Sequence, residues 1–225
     1  MTGQPPEPLT AQAERFAAQL TNVLNLTVCD SALLRVAEAP DGRFFVGQIP
    51  PTATSPTLEA LKGEPIPITG FESTLFIGAN WRFGPSSTGH FLKTEWSQFG
   101  LFVPTRKAHR PVFRLEVDVS GSQADWRLAH IQVHGESESL GEVWGYRQAK
   151  DPKSLPRLHL PVGGFRYRPC LEDFIEFLVD EGLVPGKANW REALEATRAE
   201  YRRGQLWTLI VKNPNVAREA LASLA

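Results

Sequence analysis

Long apolar runs are missing from this 225-residue chain. No stretch approaches the ~18 residues that a spanning helix needs, so neither membrane insertion nor a secretory leader is expected. Cysteine is scarce: Cys29 and Cys170 lie far apart, in no CxxC spacing, which excludes a zinc knuckle or a disulfide framework and predicts reduced thiols in the cytoplasm. A charge excess of either sign is also absent, with 24 Lys and Arg against 25 Asp and Glu. There is thus no whole-protein electrostatic footprint for nucleic acid, and any RNA contact has to be local. No internal repeat is visible. What the chain does have is 42% hydrophobic and 22% charged residues, the composition of a globular protein with a sizeable core in one or two closely packed domains.

Thr10 is placed to N-cap a first helix in which Phe16, Leu20, Val23 and Leu24 follow helical spacing. Apolar runs at 32–36 and 43–47 then flank Ala39-Pro40-Asp41-Gly42, a hairpin signal. Residues 48–72 include Pro50, Pro51, Pro56, Pro65 and Pro67. Proline suppresses helix and central strand alike, so this stretch reads as a long surface connection or domain seam. Residues 1–72 would then be the N-terminal helix, hairpin and connection, and residues 73–225 a sheet with C-terminal helices, the two forming separate units or one compact domain. After the irregular Gly84-Pro85-Ser86-Ser87-Thr88-Gly89, strands are predicted at 90–96, 99–103, 112–119 and 129–135. A further strand-like segment at 157–160 precedes a Gly163-Gly164 turn.

Beyond the turn the period changes. Pro169 precedes Leu171, Phe174, Ile175, Leu178 and Val179 at helical spacing, and Gly182 follows them. Asn189 with Glu192 resembles a capping box for a helix running toward Arg203, residues 206–211 fit helix or strand, and Asn213-Pro214 opens a last helix with Val216, Ala220 and Leu221 facing inward. The fold class is α+β, an antiparallel sheet preceded by one helix and followed by two or three C-terminal helices.

All five histidines fall between residues 90 and 159, two of them in Ala129-His130-Ile131-Gln132-Val133-His134-Gly135-Glu136. On a strand, Ile131 and Val133 would enter the core while His130, Gln132, His134 and Glu136 share the other face. Four residues of strand separate the two histidines by ~13 Å, too far to share one zinc ion at bonds of ~2 Å. No metal and no cofactor is expected. The preceding strand reads Val112-Phe113-Arg114-Leu115-Glu116-Val117-Asp118. Phe113, Leu115 and Val117 should face the core, leaving Arg114, Glu116 and Asp118 beside the histidines if the strands pair. A carboxylate directly opposite an imidazole, Cβ to Cβ ~5 Å, can orient it, and an arginine can hold an anion. His130, His134, Glu116 and Arg114 thus form a candidate acid/base and anion-holding set for metal-independent phosphodiester cleavage. The alternative is a solvated sheet face whose polar residues neutralise one another.

These segments, with Phe91-Leu92-Lys93-Thr94-Glu95-Trp96-Ser97 and the run from His159 through Pro161-Val162-Gly163-Gly164-Phe165-Arg166-Tyr167-Arg168-Pro169-Cys170 to Asp173, resemble an uncharacterised family of bacterial cytosolic proteins over about residues 90–205. An arginine-bearing strand, a strand with spaced histidines and a following helix are also similar, more weakly, to small toxins of bacterial toxin–antitoxin pairs. That similarity implies RNA cleavage and an antitoxin-like or other complex-forming partner. Arg157, Arg166 and Arg168 around the glycine turn form a second, anion-binding candidate, and Arg191, Arg198 and Arg202 recur along the next helix. Glu172, Glu192, Glu195 and Glu200 are close enough to turn the helix arginines into ordinary surface ion pairs. Two functions stay open: an RNA-cleaving toxin or defence enzyme, and a non-catalytic interaction or regulatory module. They differ in whether the polar rows converge in a concave pocket.

Overall fold

The computed structural model describes residues 7–49, 64–106, 108–119, 128–136, 160–162 and 168–223. Helix α1 (Leu9–Thr27) buries Ala13, Ala17, Leu20, Val23 and Leu24 on one stripe. Its N-cap is Pro8, not Thr10, which lies exposed inside the first turn. Proline fixes φ just outside the helix, and the Pro8 carbonyl accepts from Gln12 N at 3.0 Å. At the other end Lys187 reaches back to the carbonyls of Asn25 and Cys29 and to Asp30, placing a cation on the negative end of the helix.

Strands β1 (Leu34–Glu38) and β2 (Phe44–Gln48) form the hairpin predicted from Asp-Gly, with Gly42 at φ 77°. Of the proline-rich stretch, residues 50–63 lie outside the described residues. Its end is not a surface connection. Ile66 and Ile68 are 0% exposed, strand β3 (Ile66–Pro67) pairs with β4 (Phe76–Pro85), and Ile68 N donates to Leu75 O. Prolines next to an edge pairing leave the isoleucines free to enter the core.

Strand β4 covers residues to which the sequence assigned no element, ending in the first two of the irregular 84–89 stretch, and it is central. It pairs with β2 on one side and with β5 (Leu92–Pro104) on the other. The two strands predicted at 90–96 and 99–103 are one long β5, bent where Glu95 bulges opposite the Arg82/Phe83 step. β6 (His109–Asp118), β7 (Ala129–Val133) and β8 (Leu160–Pro161) continue the meander. Among the described residues the antiparallel sheet runs β1-β2-β4-β5-β6-β7-β8 with β3 beside β4. Strands from before and after residue 72 therefore share one sheet.

One sheet face carries Ile77, Ala79, Trp81, Phe99, Leu115 and Val117 into the core. Phe16 of α1 meets the Trp81 ring at 5.3 Å, and Phe174 of α2 (Leu171–Asp180) meets Phe99 and Phe113 at 6.0 and 5.7 Å. Both helices thus cover the same face, with Phe174, Ile175 and Leu178 buried as predicted. Cys170 caps α2 in a box with Asp173. Burial pushes the Cys29 thiol up to about 12 and raises Cys170 as well, so neither buried thiol is a nucleophile at neutral pH.

Helix α3 (Trp190–Lys212) runs well past Arg203 and absorbs residues 206–211. Asn189 precedes it in the left-handed region at φ 60° without a side-chain cap, so the capping box does not form. In α4 (Pro214–Ala222) the predicted inward residues Val216 and Leu221 are exposed. Among the described residues, no helix is long and apolar enough to cross a membrane.

Glycine has a packing role at one point of the sheet. Gly78 and Gly100 are paired neighbours, and a Cβ on either would lie 2.6 or 2.7 Å from the Phe102 ring, which therefore rests directly on the backbone. Gly100→Ala should lose about 1–3 kcal/mol by overpacking, most of it recovered in a Phe102→Leu background. A double-mutant cycle on thermal melting checks this, and a coupling near zero would show that the ring swings aside.

Candidate functional site

The face opposite the helices collects the polar residues of four strands, because β-strand alternation puts every second side chain there. Register aligns them in rows. Asn80 of β4 faces Gln98 of β5, which faces Glu116 of β6, which faces His130 of β7. On one side of this row lie Arg82, Trp96 and Asp118; on the other, Gly78, Gly100, Arg114 and Gln132.

Glu116 and His130 are thus directly opposed, as the acid/base reading requires. The carboxylate is already engaged, however: Trp96 Nε1 donates to Oε1 at 2.8 Å and Gln98 Nε2 to Oε2 at 3.5 Å. His130 is only 7% exposed and Gln132 9%. This part of the face is covered, not solvated. Asp118, expected beside the histidines, lies instead 3.9 Å from Arg82, whose Nε is 3.4 Å from the bulge residue Glu95; Arg43 Nε approaches the same carboxylate at 3.1 Å. That cluster depends on the β5 bulge and on β4, neither of which period-two patterning reveals.

His134 and Arg114 occupy a different environment. Arg114 donates from its terminal nitrogen to Gln132 Oε1 at 2.7 Å, and His134 N donates to Val112 O as the chain leaves β7. Burial, then the positive charges of Arg114 and Arg110, lower the His134 pKa from its ordinary 6.5, so the imidazole is neutral at pH 7. His134 Nε2 and Arg114 Nε are both shielded from solvent without a hydrogen-bond partner. Sequence reasoning missed Arg110, four residues before Arg114, although its charge was in plain view.

The other anion-binding candidates do not assemble into a second site. Arg157 and Arg166 lie outside the described residues, as does the glycine turn. Arg168 offers its carbonyl to Tyr201 Oη and Gln205 Nε2. Arg191 pairs with Glu176 and Asp180, and Arg198 is buried among carboxylates. An open groove of about 580 Å³ lies at the β5–β6 turn, lined by Glu64, Pro65, Phe102, Pro104, Thr105 and His109 among others. None of His130, His134, Glu116 or Arg114 lines it. Among the described residues no group of three or more His, Cys, Asp and Glu is arranged to hold a metal ion.

No protein-family model, curated protein or solved structure matches this chain.

Proposed function

We propose that the protein is a cytoplasmic factor of the toxin or defence type that engages the phosphate backbone of RNA at Arg110, Arg114 and His134, with His134 as general base in phosphodiester cleavage. One observation carries this reading: two shielded nitrogens, His134 Nε2 and Arg114 Nε, lack partners beside a second guanidinium. An unmet buried polar group costs about 1–3 kcal/mol, and a phosphate oxygen would satisfy the arginine. A turn of the His134 ring would first bring the shielded Nε2 to the surface; the neutral imidazole would then take the proton of the RNA 2′-hydroxyl, the resulting oxyanion would attack phosphorus, and the 5′-oxygen would depart with a proton from water. Arg114 and Arg110 would hold the extra negative charge on the phosphoryl oxygens. Glu116 and His130, one row deeper, hold the strands in register under this reading.

The test is growth and total RNA integrity in bacteria expressing wild type, His134→Ala or Arg114→Gln, followed by the purified proteins on labelled RNA. His134→Ala should lose ~100-fold or more in rate, while its melting temperature stays close to wild type because a half-buried surface histidine carries ~0.5 kcal/mol or less. Since the folded pKa lies below 6.5, wild-type activity should stay flat above that pH and fall only as acid protonates the base. A wild type that neither cleaves RNA nor binds it more tightly than Arg114→Gln would end this proposal. The interaction-module reading is favoured by a separate feature, the apolar C-terminal helices.

A further inference from the structure

We infer that the second half of α3, together with α4, is a contact surface for a second copy of this chain. The inference does not depend on the RNA site. Helix α3 is held to the body over its first half: Leu194 and Arg198 are buried, and Tyr201 and Gln205 reach the Arg168 carbonyl. Beyond Gln205 the character inverts. Leu206, Trp207, Ile210 and Val211 are 52–68% exposed, and Val216 and Leu221 of α4 are 63% and 69% exposed. At 100° per residue, the four α3 side chains fall within an arc of ~140°. They make one continuous stripe on α3, and α4, beginning directly after Asn213, adds the exposed Val216 and Leu221.

The area points to the occupant. Summed over the two consecutive helices, these six residues leave on the order of 700 Å² in water, against the ~300–600 Å² of the largest apolar patch on a typical monomer. It is close to the ~800 Å² that each partner contributes to a standard interface. An aliphatic and aromatic stripe is self-complementary: two copies related by a two-fold axis can lay their α3 helices side by side and bury the same residues twice. Gly204 adds to this. Among the described residues a Cβ there would meet nothing within 4 Å, and a mid-helix glycine costs ~1 kcal/mol against alanine, whereas an uncovered backbone at the base of the stripe lets a second helix come close.

Sedimentation equilibrium of the full chain at 1–100 μM, an order-of-magnitude range suited to interfaces of this size, tests the inference. Wild type should show twice the 25.0 kDa chain mass. Trp207→Glu/Ile210→Glu should weaken the dimer at least ~100-fold, as loss of central anchors does, with unchanged far-ultraviolet circular dichroism. Leu221→Glu should weaken it less. A monomeric wild type across that range, or a dimer indifferent to Trp207→Glu/Ile210→Glu, would overturn the inference. So would a monomer that floats with phosphatidylcholine/phosphatidylglycerol vesicles, which would assign the stripe to a lipid surface.

Discussion

Arg198→Met is expected to destabilise the fold by about 3–5 kcal/mol, the penalty for removing one partner of a buried ion cluster. Arg198 is 2% exposed. Its guanidinium lies 2.9 Å from Glu176, 2.7 Å from Glu195 and 3.5 Å from Asp173, and donates to the Glu172 carbonyl at 3.0 Å. Burial alone would lower its pKa, but the carboxylates outweigh that and raise it. Methionine restores most of the volume, so the loss reads the charge. Without Arg198, Asp173 and Glu176 of α2 lose the cation they share, and only the exposed Arg191 of α3 is left beside Glu176, while the more exposed Glu195 turns to water at little expense. Urea unfolding measures the change as a lower midpoint at unchanged slope. A loss below 1 kcal/mol would mean that the cluster relaxes into solvent and is no more than a set of surface pairs.

That buried role was not legible in the sequence. Arg191, Arg198 and Arg202 repeat at helical spacing among glutamates, and spacing alone cannot tell a solvated ion pair from one beneath a second helix. Alternation, by contrast, carries its own geometry. Phe113, Leu115, Val117 and Ile131 read as core-facing from period two, and they pack toward the helices as predicted. The same alternation placed Arg114, Glu116, His130 and His134 on the opposite face, but which of them meet is a matter of register, and register is set by strands far away in sequence. The opposition of Glu116 and His130, the capture of Asp118 by Arg82 and the grouping of His134 with two arginines all follow from it. Strand β4 escaped notice because Gly78, Asn80 and Gly84 interrupt its apolar residues. Those interruptions are packing features: Gly78 receives the Phe102 ring, and Asn80 opens the polar row. At the C-terminus, Val216 and Leu221 have the periodicity of a buried helix but stay exposed, and periodicity cannot report what covers a face.

The end of the proline-rich segment offers the largest contrast between pattern and place, and it fixes the second large expected effect. Ile66→Ala should lose about 2–5 kcal/mol, the range for deleting a buried isoleucine side chain with partial collapse of the cavity. On a surface connection the same change would fall within about ±0.5 kcal/mol. Ile66 is 0% exposed and paired with Ile77 of β4, and Ile68 beyond it is equally buried, with Thr69 N donating to Val28 O at the end of α1. The segment therefore ties β4 to α1, and a cavity at Ile66 would loosen both. Ile66→Val removes one methylene and should cost only about 0.5–1.5 kcal/mol, so the ratio of the two losses separates a cavity from a general disturbance of the loop. Equal losses for alanine and valine, or an alanine loss below 1 kcal/mol in urea unfolding, would place Ile66 outside the core and return the segment to the surface.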